Sequence, residues 1–215
     1  MSINETLESL RVSYRIASLD IEDCDLNPEK QLNEWLDEAL KSKCDEVNAF
    51  TLSTVSQNRP RARVVLLKGI HKGQLVFYTN YDSDKGHELE QNPNVAMTFL
   101  WLPLQRQVRI EGIVKKVEPH LSDEYFVKRP RGSQLGAIAS PQSKKVASRS
   151  DLEKMFQETD QRNANVEVLK RPETWGGYGI TPTYFEFWQG RDNRMHDRIV
   201  YEKSNSGWSL GRLAP

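Results

Sequence analysis

The sequence predicts a mainly β chain with peripheral α-helices, arranged as an antiparallel barrel. Three observations carry that reading. Roughly six to eight short strand-like segments recur between Ala49 and Arg212, with helical segments inserted between them. Turn signals such as Gln57-Asn58-Arg59-Pro60, His71-Lys72-Gly73 and Ser204-Asn205-Ser206-Gly207 punctuate them. The third observation is what the chain lacks: there are no internal repeats and no GxGxxG, P-loop, HExxH or CxxC pattern, which argues against a Rossmann nucleotide site and a zinc enzyme.

Size and charge narrow the field further. A chain of 215 residues can bury a real core. Its 30 basic and 30 acidic residues cancel, so the molecule as a whole is not built for nucleic acid or a membrane surface, and any anion recognition must be local. Cys24 and Cys44 have no metal-ligand spacing, which points to a reduced, cytoplasmic protein. No apolar run approaches the roughly 18 residues of a membrane span. Met1-Ser2-Ile3-Asn4-Glu5 is acidic and is not the start of a secretory signal.

Taken in order, residues 1–26 are polar without a clear period and are expected to form a mobile arm; 27–215 are expected to form a single domain. Asn27-Pro28 supplies a helix cap and a first-turn proline. Leu32, Trp35, Leu36, Ala39 and Leu40 then follow at helical spacing. Residues 49–55, 61–68 and 74–80 read as strands. A helix capped by Ser83 runs to Glu90, strands cover 95–101 and 107–117, and helices cover 122–128, 132–139 and 151–161. Strands at 184–189, 196–202 and 208–212 close the chain.

The last quarter carries the sharpest chemical signal. Arg194, His196 and Arg198 are separated by two, so a strand there would set all three side chains on one face. Such a row of polar, potentially cationic groups asks for an anionic or electron-rich ligand. His196 is read as an orienting hydrogen-bond partner rather than an obligatory proton carrier, against the bland reading of a structural histidine. Trp188 could stack on a planar ring or fill the core.

Other candidates stand beside plain alternatives. Arg61, Arg63 and Lys68 flank an apolar strand, where solvated edge residues are ordinary. Tyr78-Thr79-Asn80, Ser83 and Lys85 set hydroxyls and an ammonium at a strand-to-helix junction able to hold a phosphate. Tyr125, Arg129 and Ser133 recur every four residues across a helix end and could surround one anion, or form a solvated basic end. Gln142-Ser143 with Lys144-Lys145 could be a phosphate-side loop or merely a soluble one.

Together these segments resemble the pyridoxine/pyridoxamine 5′-phosphate oxidase family, homodimeric flavoproteins of the FMN-binding split-barrel fold. The resemblance runs from about Arg11 to Pro215. Its most specific piece is Phe185-Glu186-Phe187-Trp188-Gln189, four residues, then Arg194-Met195-His196-Asp197-Arg198; the Arg212-Leu213-Ala214-Pro215 end also fits. The resemblance implies two FMN molecules at the dimer interface. Arg63, Val64, Val65, Leu66, Leu67, Lys68, Tyr78, Thr79, Lys85, Gln107, Gln142, Ser143, Trp188 and Arg198 would bind them. It places the substrate phosphate among Lys68, Tyr125, Arg129 and Ser133, the pyridine ring against Arg194 and His196, and Arg11 and Tyr14 in a lid.

The implied reaction oxidises pyridoxamine or pyridoxine 5′-phosphate to pyridoxal 5′-phosphate, with molecular oxygen reduced to hydrogen peroxide and no metal. Arg194 is the residue expected nearest the reacting carbon. The alternatives are a related flavin oxidase acting on another small molecule and a non-catalytic carrier of pyridoxal phosphate. Two positions depart from the family pattern: Asp84, where a basic residue is frequent and which is expected to face solvent, and Glu46, where some members carry proline.

Overall fold

The structure, a computed structural model, describes residues 3–10 and 13–215. Helix α1 spans Ile3–Ser9 and α2 spans Pro28–Lys41. Strands β1 (Ala49–Ser56), β2 (Arg59–Leu66), β3 (Gly69–His71) and β4 (Gln74–Asn80) precede α3 (Asp84–Gln91). Then come β5 (Asn94–Trp101), β6 (Arg106–Lys116), α4 (Pro119–Lys128), α5 (Arg131–Ala139) and α6 (Arg149–Arg162). The chain closes with β7 (Trp175–Gln189), β8 (Asp197–Ser204) and β9 (Gly207–Arg212). The strands form one nine-stranded sheet in the order β2-β1-β5-β6-β7-β4-β3, with β8 pairing β7 and β9 pairing β8.

The chain divides into two compact units, each discontinuous in sequence. One contains residues 1–47, 98–110 and 183–215 and is called the terminal unit below; the other, the central unit, contains 48–97 and 111–182.

In the terminal unit, Asn27 caps α2 by accepting from the Glu29 N–H, with Pro28 at its first position. The apolar stripe at Leu32, Trp35 and Ala39 is buried, and Trp35 meets Phe187 edge to face at 5.1 Å. Phe185 and Phe187 are buried two residues apart on β7, as one packed sheet face requires. In the central unit β1 buries Phe50, Leu52 and Thr54 by the same alternation and pairs antiparallel with β2, Ala49 opposite Leu66.

Four sequence readings need correction. β3 (Gly69–His71) is a strand where the sequence reading had none, and it takes in His71 from the expected turn. β7 begins at Trp175, nine residues before the expected 184, because Gly176, Gly177 and Gly179 disguise a strand as a loop. These glycines are there for close approach: a Cβ on Gly176 would collide with the Tyr81 hydroxyl, and one on Gly177 would lie 2.7 Å from Val117. In the stretch expected to be an arm, Ile3–Ser9 is helical; further along, Leu19 is buried and the Asp25 carbonyl accepts a hydrogen bond from the Tyr201 hydroxyl at 2.7 Å.

The fourth correction removes the row of cations. Strand β8 starts at Asp197, so His196 lies outside it. Arg194 ends a short 3₁₀ turn, Asp192–Arg194, in which Asn193 and Arg194 adopt φ of 56° and 61°. Arg194, His196 and Arg198 therefore do not share a strand face; local turn chemistry overrides the period-two pattern.

Candidate functional site

In the central unit a cavity of about 560 Å³ opens among Val64, Val65, Leu66 and Lys68 from β2 and its end, Tyr78 and Thr79 from β4, Lys85 from α3, and Tyr125, Arg129 and Ser133 from the α4–α5 corner. Lys128, Pro130, Gln142 and Trp175 complete its wall. Two segments that the sequence reading treated separately, the strand-to-helix junction and the 125–133 series, thus line one cavity.

At the first segment, Ser83 caps α3 by accepting from the Gly86 N–H at 3.3 Å. Gly86 is required there because a Cβ would collide with the Tyr81 carbonyl oxygen. The cap holds Lys85 in the first turn, where its ammonium donates to Thr79 Oγ1 at 3.0 Å and to Gln142 Oε1 at 2.8 Å. Burial, with Arg63 nearby, pulls the Lys85 ammonium below the usual lysine range, against the opposing pull of Asp84 and Glu88. An ammonium held in a cavity by neutral oxygens gains a full charge partner when an anion arrives. Asp84 is exposed at the first position of α3, where a carboxylate favours the helix dipole.

At the second segment, α4 ends at Lys128 and α5 begins at Arg131, with Pro130 between them. Pro130 offers no side-chain cap to the α5 N-terminus. The Gln134 amide donates to the carbonyls of Phe126, Val127 and Arg129 at 2.9, 3.2 and 3.0 Å, which fixes the corner. Sequence reasoning missed Gln134, because nothing in Arg131-Gly132-Ser133-Gln134 announces a buried amide.

The Arg129 guanidinium lies 4.6 Å over the Trp175 ring, yet its Nη1 is buried with no hydrogen-bond partner among the described residues. Burial lowers the Arg129 pKa from its ordinary value. An orphaned guanidinium N–H beside an uncapped helix N-terminus and the Ser133 hydroxyl is the donor set of a phosphate ester or carboxylate. One wall is aromatic: Tyr78 stacks on Tyr125 with centroids 4.0 Å apart and on Trp175 at 5.5 Å.

Among the other expected residues, Arg63 is turned toward an acid. It pairs with the buried Glu88 on α3 and donates to Thr54 Oγ1 at 2.5 Å. Leu67 is buried and is not part of the cavity wall. Ser143 is exposed with φ of 68°, beside Gln142. Glu46 has φ of 41°, which a proline ring cannot adopt, so this loop differs from one carrying proline there.

In the terminal unit, Tyr14, Trp188 and His196 form a cluster, with Trp188 and His196 centroids 4.6 Å apart and Tyr14 within 5.9 Å of both. His196 Nδ1 accepts the Arg191 N–H at 3.1 Å, which leaves Nε2 as the nitrogen able to face a ligand. Arg194 is exposed on the adjoining turn. Gln107 is half-buried on β6, and Arg11 lies outside the described residues. Arg198 Nε donates to Glu186 Oε1 at 2.8 Å. Among the described residues no group of histidines, cysteines and carboxylates could hold a metal ion, and no helix is long and apolar enough to cross a membrane.

Comparison with known proteins gives this architecture its class. The chain superposes with a TM-score of 0.85 on PhzG from Burkholderia lata, solved with tetrahydrophenazine-1-carboxylic acid, at 27% identity over 93% of this chain and all of that one. A pyridoxamine 5′-phosphate oxidase-related, FMN-binding protein from Nostoc punctiforme superposes at 0.72 with 16% identity, covering 89% of this chain and 100% of that one. The fold is therefore the FMN-binding split barrel.

The family pattern "Pyridoxamine 5′-phosphate oxidase" matches residues 36–163. "Pyridoxine 5′-phosphate oxidase C-terminal dimerisation region" matches 175–215. Relatives named pyridoxine/pyridoxamine 5′-phosphate oxidase include one from Leptospira interrogans, 52% identical over 97% of this chain and 98% of its own length. Another, from Salinibacter ruber, is 48% identical over 97% and 99%. The chain belongs to the pyridoxamine 5′-phosphate oxidase family.

Proposed function

We propose that this protein is a homodimeric, FMN-dependent oxidase that converts pyridoxamine and pyridoxine 5′-phosphates to pyridoxal 5′-phosphate, with dioxygen as the final acceptor. The observation that carries the reading is the buried, unpartnered Nη1 of Arg129 in a cavity shared with Lys68, Tyr125 and Ser133. That donor set suits a substrate phosphate. The Lys85–Thr79–Gln142 cluster in the same cavity suits the phosphate of FMN. Val64, Val65, Leu66 and Tyr78 offer apolar and aromatic surface for a flat ring. Arg63, Leu67, Gln107, Ser143, Trp188 and Arg198 are assigned to the same cofactor at the dimer interface.

The bound flavin supplies the two-electron acceptor chemistry and the route to oxygen. The chain's own residues bind, orient and stabilise. Arg129, Ser133, Tyr125 and Lys68 hold the phosphate, and that remote binding energy sets the pose of the pyridine. Arg194 lies against the reacting carbon and stabilises developing negative charge. His196, its Nδ1 occupied by the Arg191 amide, directs Nε2–H toward the ring substituents. Arg11 and Tyr14 cover the substrate.

Likeness to PhzG favours a second reading, oxidation of a tricyclic carboxylic acid. The phosphate-type donor set around Arg129 favours the first. Turnover decides between them and the carrier alternative. FMN-loaded protein given pyridoxamine 5′-phosphate in air is expected to release hydrogen peroxide, and far less with unphosphorylated pyridoxamine. Equal rates with both, or no peroxide with either, overturn the proposal.

A further inference from the structure

We infer that Glu186 and the closing stretch Arg212-Leu213-Ala214-Pro215 form a bracket that aims Arg198, making both positioning elements for the flavin. The inference rests on the assignment of Arg198 to the cofactor made above. Glu186 lies on β7 only 2% exposed. A carboxylate so buried is costly unless charged partners meet it. Two do: Oε1 accepts from Arg198 Nε and Oε2 from Arg109 Nη1, each at 2.8 Å, while the Tyr184 hydroxyl adds a third bond at 3.1 Å. Burial pushes the Glu186 carboxyl upward, but the two guanidiniums outweigh it and hold the group below the usual carboxylate range.

Register explains the pairing. Trp188 on β7 stands opposite Arg198 on β8, and Glu186 stands opposite Val200, so Glu186 and Arg198 are diagonal neighbours on one face. The second arm comes from the end of the chain. The Leu213 N–H donates to the Arg198 carbonyl at 2.9 Å, and Arg212 Nη1 donates to Asp197 Oδ1 at 2.8 Å, which lays the stretch along β8. There the Ala214 carbonyl accepts from Arg198 Nη1 at 2.9 Å.

Arg198 is thus held at Nε and Nη1, and its Nη2 has no partner among the described residues. A planar guanidinium fixed at two nitrogens presents the third in a preset direction. An ordinary strand-to-strand ion pair needs neither the main-chain acceptor on Nη1 nor a second arginine on the carboxylate. The bracket also sets the local field, since two cations share one anion.

Two readouts separate aiming from mere stabilisation: the FMN dissociation constant, by equilibrium dialysis, and the reduction potential of bound FMN. Glu186→Gln should weaken FMN binding about tenfold or more by loosening Arg198, and shift the potential upward because the positive charge is no longer compensated. A chain ending at Leu213 loses the Ala214 acceptor and should weaken binding comparably. A chain ending at Ala214 keeps that acceptor and should bind like the full chain, a contrast that a structural role for the tail would not produce. Arg198→Lys serves as the reference and should weaken binding. If it does while Glu186→Gln and the Leu213-ended chain stay within about twofold of the full chain, the bracket is overturned. If Arg198→Lys binds FMN normally, the assignment of Arg198 falls, and the inference with it.

Discussion

The cavity of the central unit and the turn at Asp192–Arg194 in the terminal unit are built on opposite principles. The cavity is made from regular elements, the ends of β2 and β4, the start of α3 and the α4–α5 corner, and its polar groups are set by the Ser83 cap and by the Gln134 stitch. The turn breaks regular structure, placing Asn193 and Arg194 in the left-handed region that non-glycine residues seldom adopt. Such conformations cost about 1–3 kcal/mol each and persist where the surroundings impose them. Under the function proposed above the two divide the labour: the regular cavity binds, and the irregular turn carries the arginine assigned to the reacting carbon.

That division can be broken experimentally, and the largest effect belongs to the turn. Arg194→Ala is expected to lower kcat/KM by roughly 10²–10³-fold while the protein still binds FMN. Steady-state kinetics beside the visible spectrum check it, and full activity would leave the strained turn without a chemical role. Arg129→Ala is expected to raise KM for the phosphorylated substrate by about ten- to a hundredfold with a smaller change in kcat. An unchanged KM removes Arg129 from the phosphate clamp.

Gln134→Leu leaves three carbonyls without their shared donor and should cost about 1–3 kcal/mol in chemical denaturation. If the corner is what positions Arg129, KM should rise too; lost stability with normal KM would reduce Gln134 to a packing residue.

Two pH effects are smaller. The Lys85 pKa is lowered, so its charge is fully present below the folded value and is lost as pH rises through it. FMN affinity should therefore decline at a lower pH than an ordinary lysine would dictate, and Lys85→Arg should remove that decline. The Glu186 pKa is depressed in the fold, so its contribution to stability is present above the ordinary glutamate value and is lost as pH falls through the folded one. Acid unfolding midpoints should shift in Glu186→Gln, since glutamine does not titrate.

Legibility followed the same division. Helix α2 with its Asn27 cap, the Ser83 cap and strand β4 were readable because each is set by local periodicity and end chemistry. So was the 125–133 series, whose spacing survived a proline break because that break falls at Arg129-Pro130. Strand β7 was half hidden, because its glycines answer to Tyr81 and Val117, residues distant in sequence. The cations at 194, 196 and 198 misled for a related reason: alternation can be written in a sequence without being realised when Asn193 favours a left-handed turn. Gln134 and the buried acid on α3, Glu88, were silent because burial of a polar group is a tertiary property.

The stack of Tyr125, Tyr78 and Trp175 under the Arg129 guanidinium has a practical corollary. An anion drawn to that guanidinium changes the electric field across the indole directly beneath it, so the emission of Trp175 should report occupancy of the cavity. A titration with inorganic phosphate, with Trp175→Phe as the blank, could then watch the pocket fill by the light it gives off, without any turnover at all.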